Sequence, residues 1–292
     1  MSSTIFIDSP EDFSFKATLY SHGWCELAPF EIDDVNWRLN YVFSDAKGRA
    51  VSAVISEERG KIRIDPANSK LDPAAVAKDT RHLLRLDDDL RGFYDKIAKH
   101  GGPSWIAEKR AGRLLRSATV YEDLIKTICT TNCSWALTKI MVRNLVEKLG
   151  VSAGKGKNAF PTAEAMASMP ESFYREEIKA GYRAPYFVEL ANAVASGKVD
   201  PQAWLMSEFS TPDLKKEMKK VKGVGDYAAE NLLKLVGRYD GLALDSWLRS
   251  QFYKKYNDEK VCKDSKIERH YKKFGDWRGL VIWCDMTEKW IA

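Results

Sequence analysis

Several things the sequence lacks narrow what it can be. Five cysteines in 292 residues (Cys25, Cys129, Cys133, Cys262 and Cys284) are too few and too scattered for a disulfide scaffold. Cys129 and Cys133, four apart in an apolar stretch, read as buried thiols. The four histidines share no metal-ligand spacing with one another or with cysteine. No Walker-type phosphate loop is present. No apolar run approaches membrane-spanning length. Residues Met1 to Ser9 have neither the basic nor the apolar part of a secretory leader. A cytoplasmic protein with no membrane partner is the expectation. A strong excess of one charge sign is missing too: a net charge of +5 permits an anionic partner without demanding one.

What is present divides in two. Hydrophobic residues at 45% and charged residues at 30% suit a soluble chain with a real core. Over the first 72 residues the signals are those of short antiparallel strands. Trp37, Leu39, Tyr41 and Phe43 alternate with polar residues, Asp45-Ala46-Lys47-Gly48 makes a turn, and Val51–Ile55 and Lys61–Ile64 follow as strands. Phe13 to Leu19 alternates similarly and predicts another strand. From Pro73 the period turns helical: Ala74–Leu86, Asp87–His100, and Thr119–Leu149 with a break near Thr130-Thr131-Asn132. Gly150–Asn158 reads as a flexible loop. Thr162 is an N-cap candidate. Helices follow over Ala184–Ser196, Thr211–Lys220 and Asp226–Val236, and the last segment carries Trp277, Trp283 and Trp290. The class is α+β: a small antiparallel β-rich N-terminal domain (1–72), then an all-helical body (73–292).

Charge is concentrated at one place. Lys215, Lys216, Lys219, Lys220 and Lys222 crowd the approach to Val221-Lys222-Gly223-Val224-Gly225-Asp226-Tyr227, a tight turn between two helices. Glycines there let an anion approach the backbone, and the second helix presents free N–H groups at its positive end. Such a turn suits a nucleic-acid backbone, gripped without reading sequence. Gly-x-Gly by itself fits an ordinary helical hairpin equally well. What adds weight is Leu242-Ala243-Leu244-Asp245-Ser246-Trp247, which sets a carboxylate in an apolar frame. Asp245 there either caps a helix or does chemistry.

Val221 to Asp245 resembles the motif of the helix-hairpin-helix DNA glycosylases: an apolar residue, Gly-x-Gly, a short helix, a loop and a catalytic aspartate. The likeness extends, in a form closest to the 8-oxoguanine glycosylases, to Gly112–Arg116, to Tyr121–Asn132, to Ala180-Gly181-Tyr182-Arg183-Ala184-Pro185-Tyr186, to Leu86-Asp87 with Phe93-Tyr94, and to Trp277–Trp283. It covers roughly Leu83 to Asp285. The helix-hairpin-helix then falls at 211–236 and the catalytic loop at 237–247.

The resemblance implies a base-excision-repair enzyme that flips a damaged base from duplex DNA and hydrolyses its N-glycosidic bond. Asp245 is the implied catalytic carboxylate. Tyr227, Asn231 and Trp283 are the implied base pocket. Asn132, Lys219, Lys222, Gly223, Val224 and Gly225 are the implied DNA contacts, with helix capping the alternative for Asn132 and core packing that for Trp283. The backbone carbonyls of Lys219, Val221 and Val224 match those that hold a monovalent cation (Na+ or K+) in relatives. No cofactor is otherwise required, and the cysteine cluster of the iron–sulfur branch is absent. Where bifunctional members carry a catalytic lysine this chain has Tyr227, as 3-methyladenine glycosylases have an aromatic residue. That departure implies a monofunctional enzyme, with an alkylated purine favoured. An 8-oxoguanine or other oxidised-base glycosylase is the alternative, and a non-catalytic DNA-binding protein is the alternative of another class. A monomer is expected, nucleoid-associated in a bacterium or nuclear in a eukaryote.

Overall fold

Leu39, Tyr41 and Phe43 stand opposite Ile55, Ala53 and Val51 across one antiparallel ladder, and all six are buried. That row of cross-strand apolar pairs fixes the register of the two strands, since a one-residue slip of either would turn its three out of the core. The structure, a computed structural model, describes residues 3–291. The sheet contains β1 (Ile5–Asp8), β2 (Glu31–Asp33), β3 (Arg38–Ser44), β4 (Ala50–Glu58) and β5 (Lys61–Pro66) in the order β1-β5-β4-β3-β2. Trp37, expected within β3, precedes it at a φ of 52°.

The strand expected over Phe13 to Leu19 is instead a short helix, α1 (Phe15–Leu19). Its alternation of Phe13, Phe15, Ala17 and Leu19 is too brief to separate period 2 from a helical turn. Ser14 decides for the helix by accepting a hydrogen bond from the Ala17 N–H at 3.2 Å.

The helical body follows as α2 (Pro73–Leu84), α3 (Arg91–Lys99), α4 (Trp105–Glu108), α5 (Val120–Thr130) and α6 (Trp135–Leu149). The expected start of α3 at Asp87 is four residues early, because Arg85 enters the left-handed region at a φ of 56° and ends α2 there. Residues 150–158 are not a plain loop. They fold back as a hairpin, β6 (Ser152–Gly154) with β7 (Lys157–Asn158), around Lys155 and Gly156, both at positive φ. Next come α7 (Ala163–Ala167), capped by Thr162 as expected, α8 (Glu171–Glu176), α9 (Ala184–Ala195), α10 (Thr211–Met218), α11 (Asp226–Leu235), α12 (Ser246–Tyr256), α13 (Asp264–Tyr271) and α14 (Arg278–Ile291). No helix among the described residues is long and apolar enough to cross a membrane.

One continuous hydrophobic core joins sheet and helices. A buried polar network on α5 ties them further. Tyr41 donates to Glu122 at 2.7 Å, the Trp24 indole donates to Asp123 at 2.7 Å, and Lys126 pairs with Glu122 at 2.7 Å. Buried charges persist when paired and hydrogen-bonded in this way, and removing one partner alone is costly.

Candidate active site

Helix α11 is the element on which the site is built. It begins directly after the glycine turn, and Tyr227, Asn231 and Lys234 fall on one face at i, i+4 and i+7. Its far end is fixed by two buried guanidinium groups. Arg85 donates to the carbonyls of Lys234 (3.1 Å) and Leu235 (3.2 Å), and Arg116 donates to Leu235 at 2.5 Å. Cations on the terminal carbonyls satisfy groups that have no partner within the helix and oppose its negative end.

The face so positioned lines a cleft of about 620 Å3. Asp245 enters from the loop after α11. Trp247 comes from α12, Trp283 and Trp290 from α14, Trp135 from α6, and His22, Trp24 and Cys25 from the N-terminal segment after α1. Trp247, Trp283 and Trp290 form a cluster with ring centroids 5.2–6.2 Å apart. The Trp283 indole donates to the Ser21 carbonyl at 2.7 Å, joining residues 262 positions apart. Flat aromatic walls of this kind suit a planar, largely apolar guest.

Asp245 takes the capping role that its sequence context allowed, without being withdrawn from the cleft. It is the N-cap of α12, with Oδ1 accepting from the Leu248 N–H at 2.7 Å, and it lines the cleft. The Tyr227 hydroxyl lies against the same carboxylate. Burial, and then that neighbouring charge, push the phenol up to about 12, so it stays a hydrogen-bond donor. Asn231 also lines the cleft, while its amide donates to the Tyr227 carbonyl at 2.9 Å.

Sequence reasoning missed Lys234. It is only 2% exposed, it lines the cleft, and its one hydrogen bond is a long one, 3.4 Å to the Leu242 carbonyl. Burial lowers its pKa to about 8 against the upward pull of Glu230 and Asp245. The signal was available: a lysine inside Leu232-Leu233-Lys234-Leu235-Val236, in helical phase with Tyr227. His22 was missed as well. It donates from Nε2 to the Leu115 carbonyl at 2.7 Å, and burial lowers its pKa to about 4.

The hairpin is where the sequence placed it, between α10 and α11. Gly223 has a φ of +88°, and a Cβ there would meet the Tyr186 ring at 2.9 Å. Gly225 has an ordinary φ of −86° and nothing within 4 Å of a would-be Cβ. The first glycine therefore makes the turn, and the second leaves open space before the helix N-terminus. Val224 is buried between them.

The lysine cluster is less free than its sequence suggested. Lys215 and Lys219 pair with Asp226 (3.1 and 3.0 Å), Lys216 with Asp213 (2.8 Å), Lys220 with Glu217 (2.5 Å) and Lys222 with Glu189 (2.5 Å). Pairs as exposed as these contribute about 0–1 kcal/mol each and can reorganise around a stronger anion. Among the implied cation ligands, the Val221 carbonyl accepts the turn bond from Val224 N–H at 3.1 Å, which leaves one lone pair available. Asn132 stands exposed in the turn before α6 at a φ of 46°, its amide 3.5 Å from the Tyr182 hydroxyl. The cap of α6 is Ser134, so capping does not account for Asn132.

No family model matches the chain. A yeast (Saccharomyces cerevisiae) N-glycosylase/DNA lyase is 23% identical over 176 residues, 55% of this chain and 47% of its own; the match thus spans about half the length of that relative. A 3-methyladenine DNA glycosylase from Archaeoglobus fulgidus superposes over 97% of this chain and 98% of its own, with a TM-score of 0.77 and 18% identity. The 8-oxoguanine glycosylase/lyase of Clostridium acetobutylicum superposes over 100% and 97%, with a TM-score of 0.74 and 18% identity. With its five-stranded sheet, its glycine hairpin and a cleft bounded by α11 and the Asp245 loop, the chain has the fold of the helix-hairpin-helix DNA glycosylases.

Proposed function

We propose that the protein is a base-excision DNA glycosylase that hydrolyses the N-glycosidic bond of a damaged base flipped out of duplex DNA. The observation that carries this reading is the meeting of Asp245 and Tyr227 in an aromatic cleft that opens beside the glycine hairpin. A flipped base needs a slot with flat walls, and the tryptophan cluster supplies them. The hairpin backbone takes the DNA phosphate near Gly225. The carbonyls of Lys219, Val221 and Val224 are the ligands available to a monovalent cation, which when bound would add positive charge beside that phosphate. Asn132, exposed between the cleft-lining Thr130 and Cys133, would fill the gap left in the helix.

In this reading Asp245 acts at the sugar. Positive charge builds on the deoxyribose as the bond to the base breaks, and a carboxylate held in a water-poor cleft stabilises it. One oxygen is fixed by Leu248 N–H, which holds the carboxylate at the cleft wall without a search through rotamers. The same carboxylate orients the attacking water and takes its proton.

In this reading the enzyme is monofunctional, because Tyr227 beside Asp245 offers no amine to the sugar, Lys222 is drawn to Glu189 on α9, and Lys234, the lysine that does line the cleft, lies about 10 Å along α11 from Tyr227. The test is direct. Duplexes that each carry one damaged base are incubated with the protein and assayed for free base and for strand cleavage before and after alkali. Free base with an intact, alkali-labile strand supports the reading. No release from any duplex, with DNA binding retained, would leave a structure-specific DNA-binding protein.

A further inference from the structure

We propose that Lys234 determines which bases the cleft accepts: its ammonium donates a hydrogen bond to a carbonyl oxygen of the flipped base, favouring neutral, carbonyl-bearing lesions over cationic N-alkylpurines. The inference rests on the reading of the cleft given above and deepens it. It also reverses the expectation of an alkylated purine that the residue at position 227 suggested.

The first ground is an imbalance. An ammonium has three donors, and Lys234 is buried with a single long hydrogen bond, 3.4 Å to the Leu242 carbonyl. Buried charges are normally fully paired. The comparison within this molecule is Lys126, equally buried, which has a carboxylate at 2.7 Å and the Ser117 hydroxyl at 3.3 Å. Lys234 has no such partner, and Glu230, four residues before it, is taken by Lys215 and by the Ala243 N–H. The remaining donors belong to a residue that lines the cleft. An acceptor brought in by a ligand would complete the set.

The second ground is position. Lys234 lies two helical turns beyond Tyr227, about 10 Å along α11. Tyr227 is 36% exposed and Lys234 is buried, so the helix runs from the open end of the cleft to its interior. A base entering between the aromatic walls leads with its outer edge, and of the charged side chains lining the cleft, Lys234, Asp245 and Glu26, the ammonium is the one able to donate to a carbonyl oxygen. The other titratable groups around the cleft are Asp245, Glu26, Tyr20, Tyr227, Cys25, Cys133 and His22. His22 adds no charge, since burial keeps its imidazole neutral at physiological pH.

The third ground is the chemistry of departure. The C1′–N bond breaks with its electron pair staying on the base, the water oxygen bonds to C1′, and the water proton goes to Asp245. A neutral base leaves as an anion whose charge spreads onto its carbonyl oxygen, and it takes up a proton from solvent on release. An ammonium on that oxygen stabilises the anion as it forms. An N-alkylated purine already carries a positive charge and leaves neutral. Even where it has a carbonyl oxygen, as 7-methylguanine does, no anion develops there for the ammonium to stabilise, and its own charge is repelled on entry.

The test compares wild type, Lys234→Met and Lys234→Gln on duplexes carrying hypoxanthine, 8-oxoguanine or uracil, and on duplexes carrying 7-methylguanine or 3-methyladenine. Excision is corrected for spontaneous loss, and thermal melting and affinity for undamaged duplex are measured alongside. We expect wild type to favour at least one carbonyl lesion over both cations. In Lys234→Met the kcat/KM for that lesion falls roughly 10- to 100-fold, while excision of the cationic bases holds or rises. Melting holds, because a buried charge has been exchanged for an apolar chain of similar length. Lys234→Gln, which keeps a donor without the charge, falls in between. Three results overturn the proposal: wild type prefers the cationic purines; Lys234→Met loses all lesions equally with a lowered melting temperature; or borohydride traps a covalent species that disappears in Lys234→Met, making the amine a nucleophile. If wild type releases no base of either class, the glycosylase reading falls first and takes this inference with it.

Discussion

Replacing Asp245 separates its two roles, because the two amino acids that could stand in for it differ in which role they keep. The carboxylate caps α12 through a 2.7 Å bond to Leu248 N–H. Asparagine has an oxygen at the same place and ranks with aspartate as a cap. It loses only the interaction of the negative charge with the helix end, about 0.3–1 kcal/mol. Alanine loses the hydrogen bond as well, for a total of about 1–2 kcal/mol. At roughly 2–4 °C per kcal/mol for a chain of this size, Asp245→Asn should melt within about 4 °C of wild type, and Asp245→Ala roughly 2–8 °C below it. Activity should not follow that order. Both variants lack the charge that meets the developing cation at the sugar, so both should lose at least about 100- to 1,000-fold in single-turnover base release. Affinity for undamaged duplex should hold or rise slightly, because a negative charge has gone. Differential scanning fluorimetry, fluorescence anisotropy on undamaged duplex and a single-turnover excision assay make the comparison. Excision by Asp245→Asn at near wild-type rate would refute the catalytic role. So would an activity loss that tracks melting temperature, since Asp245 would then be a cap and nothing more.

The two hairpin glycines should respond differently. Gly225→Val, entering open space at an ordinary φ, should fold normally and bind damaged and undamaged duplexes about tenfold more weakly by anisotropy, whereas selective loss for damaged duplex would place the hairpin in the base slot. Gly223→Ala, forced to a φ of +88° and against Tyr186, should lose roughly 1–3 kcal/mol in denaturant unfolding, and an unchanged midpoint would contradict the strain. Borohydride added during turnover should trap no protein–DNA adduct on an abasic substrate, as judged by a gel-shifted covalent band. Acid should weaken the fold through His22. Its folded pKa is lowered to about 4 from 6.5, so the unfolded chain binds the proton first and stability falls as pH drops from about 6.5 toward 4. The loss is on the order of 2–3 kcal/mol, and it should shrink in His22→Gln if the imidazole is responsible.

How much of this was written in the sequence differs from element to element. Strands β3 to β5 were legible because alternation and turn residues coincided, and α11 because its start was punctuated by glycine. The short α1 was not, since five residues cannot display a period and the deciding signal was one serine cap. The β6–β7 hairpin was hidden in a stretch whose composition alone said loop. At the site, Asp245, Tyr227, Asn231 and Trp283 were found along the chain, and all four line one cleft. His22 and Trp24 could not be found that way, because only tertiary folding brings the segment after α1 against α11 and α14. Acidic partners for three of the five lysines, Lys215, Lys219 and Lys222, escaped notice for a related reason, whereas Asp213 and Glu217 lie three residues before Lys216 and Lys220. Asp226 and Glu189 lie on neighbouring helices, and charge counted along the chain overstates the field that neighbours cancel in space.

The bond from the Trp283 indole to the Ser21 carbonyl has a consequence for how the molecule is assembled in time. During synthesis the residues around Ser21 emerge early and wait for a partner 262 positions further along the chain. The glycine hairpin and α11 are translated before α14 exists, so the cleft beside them stays open until α14 arrives. A chain interrupted before Arg278 would keep the hairpin and Asp245 but lack the wall formed by Trp283 and Trp290. Premature stops in that last stretch also take Leu280, Val281, Ile282 and Met286 out of the core that sheet and helices share, so their products should fail to fold rather than persist as DNA-binding fragments.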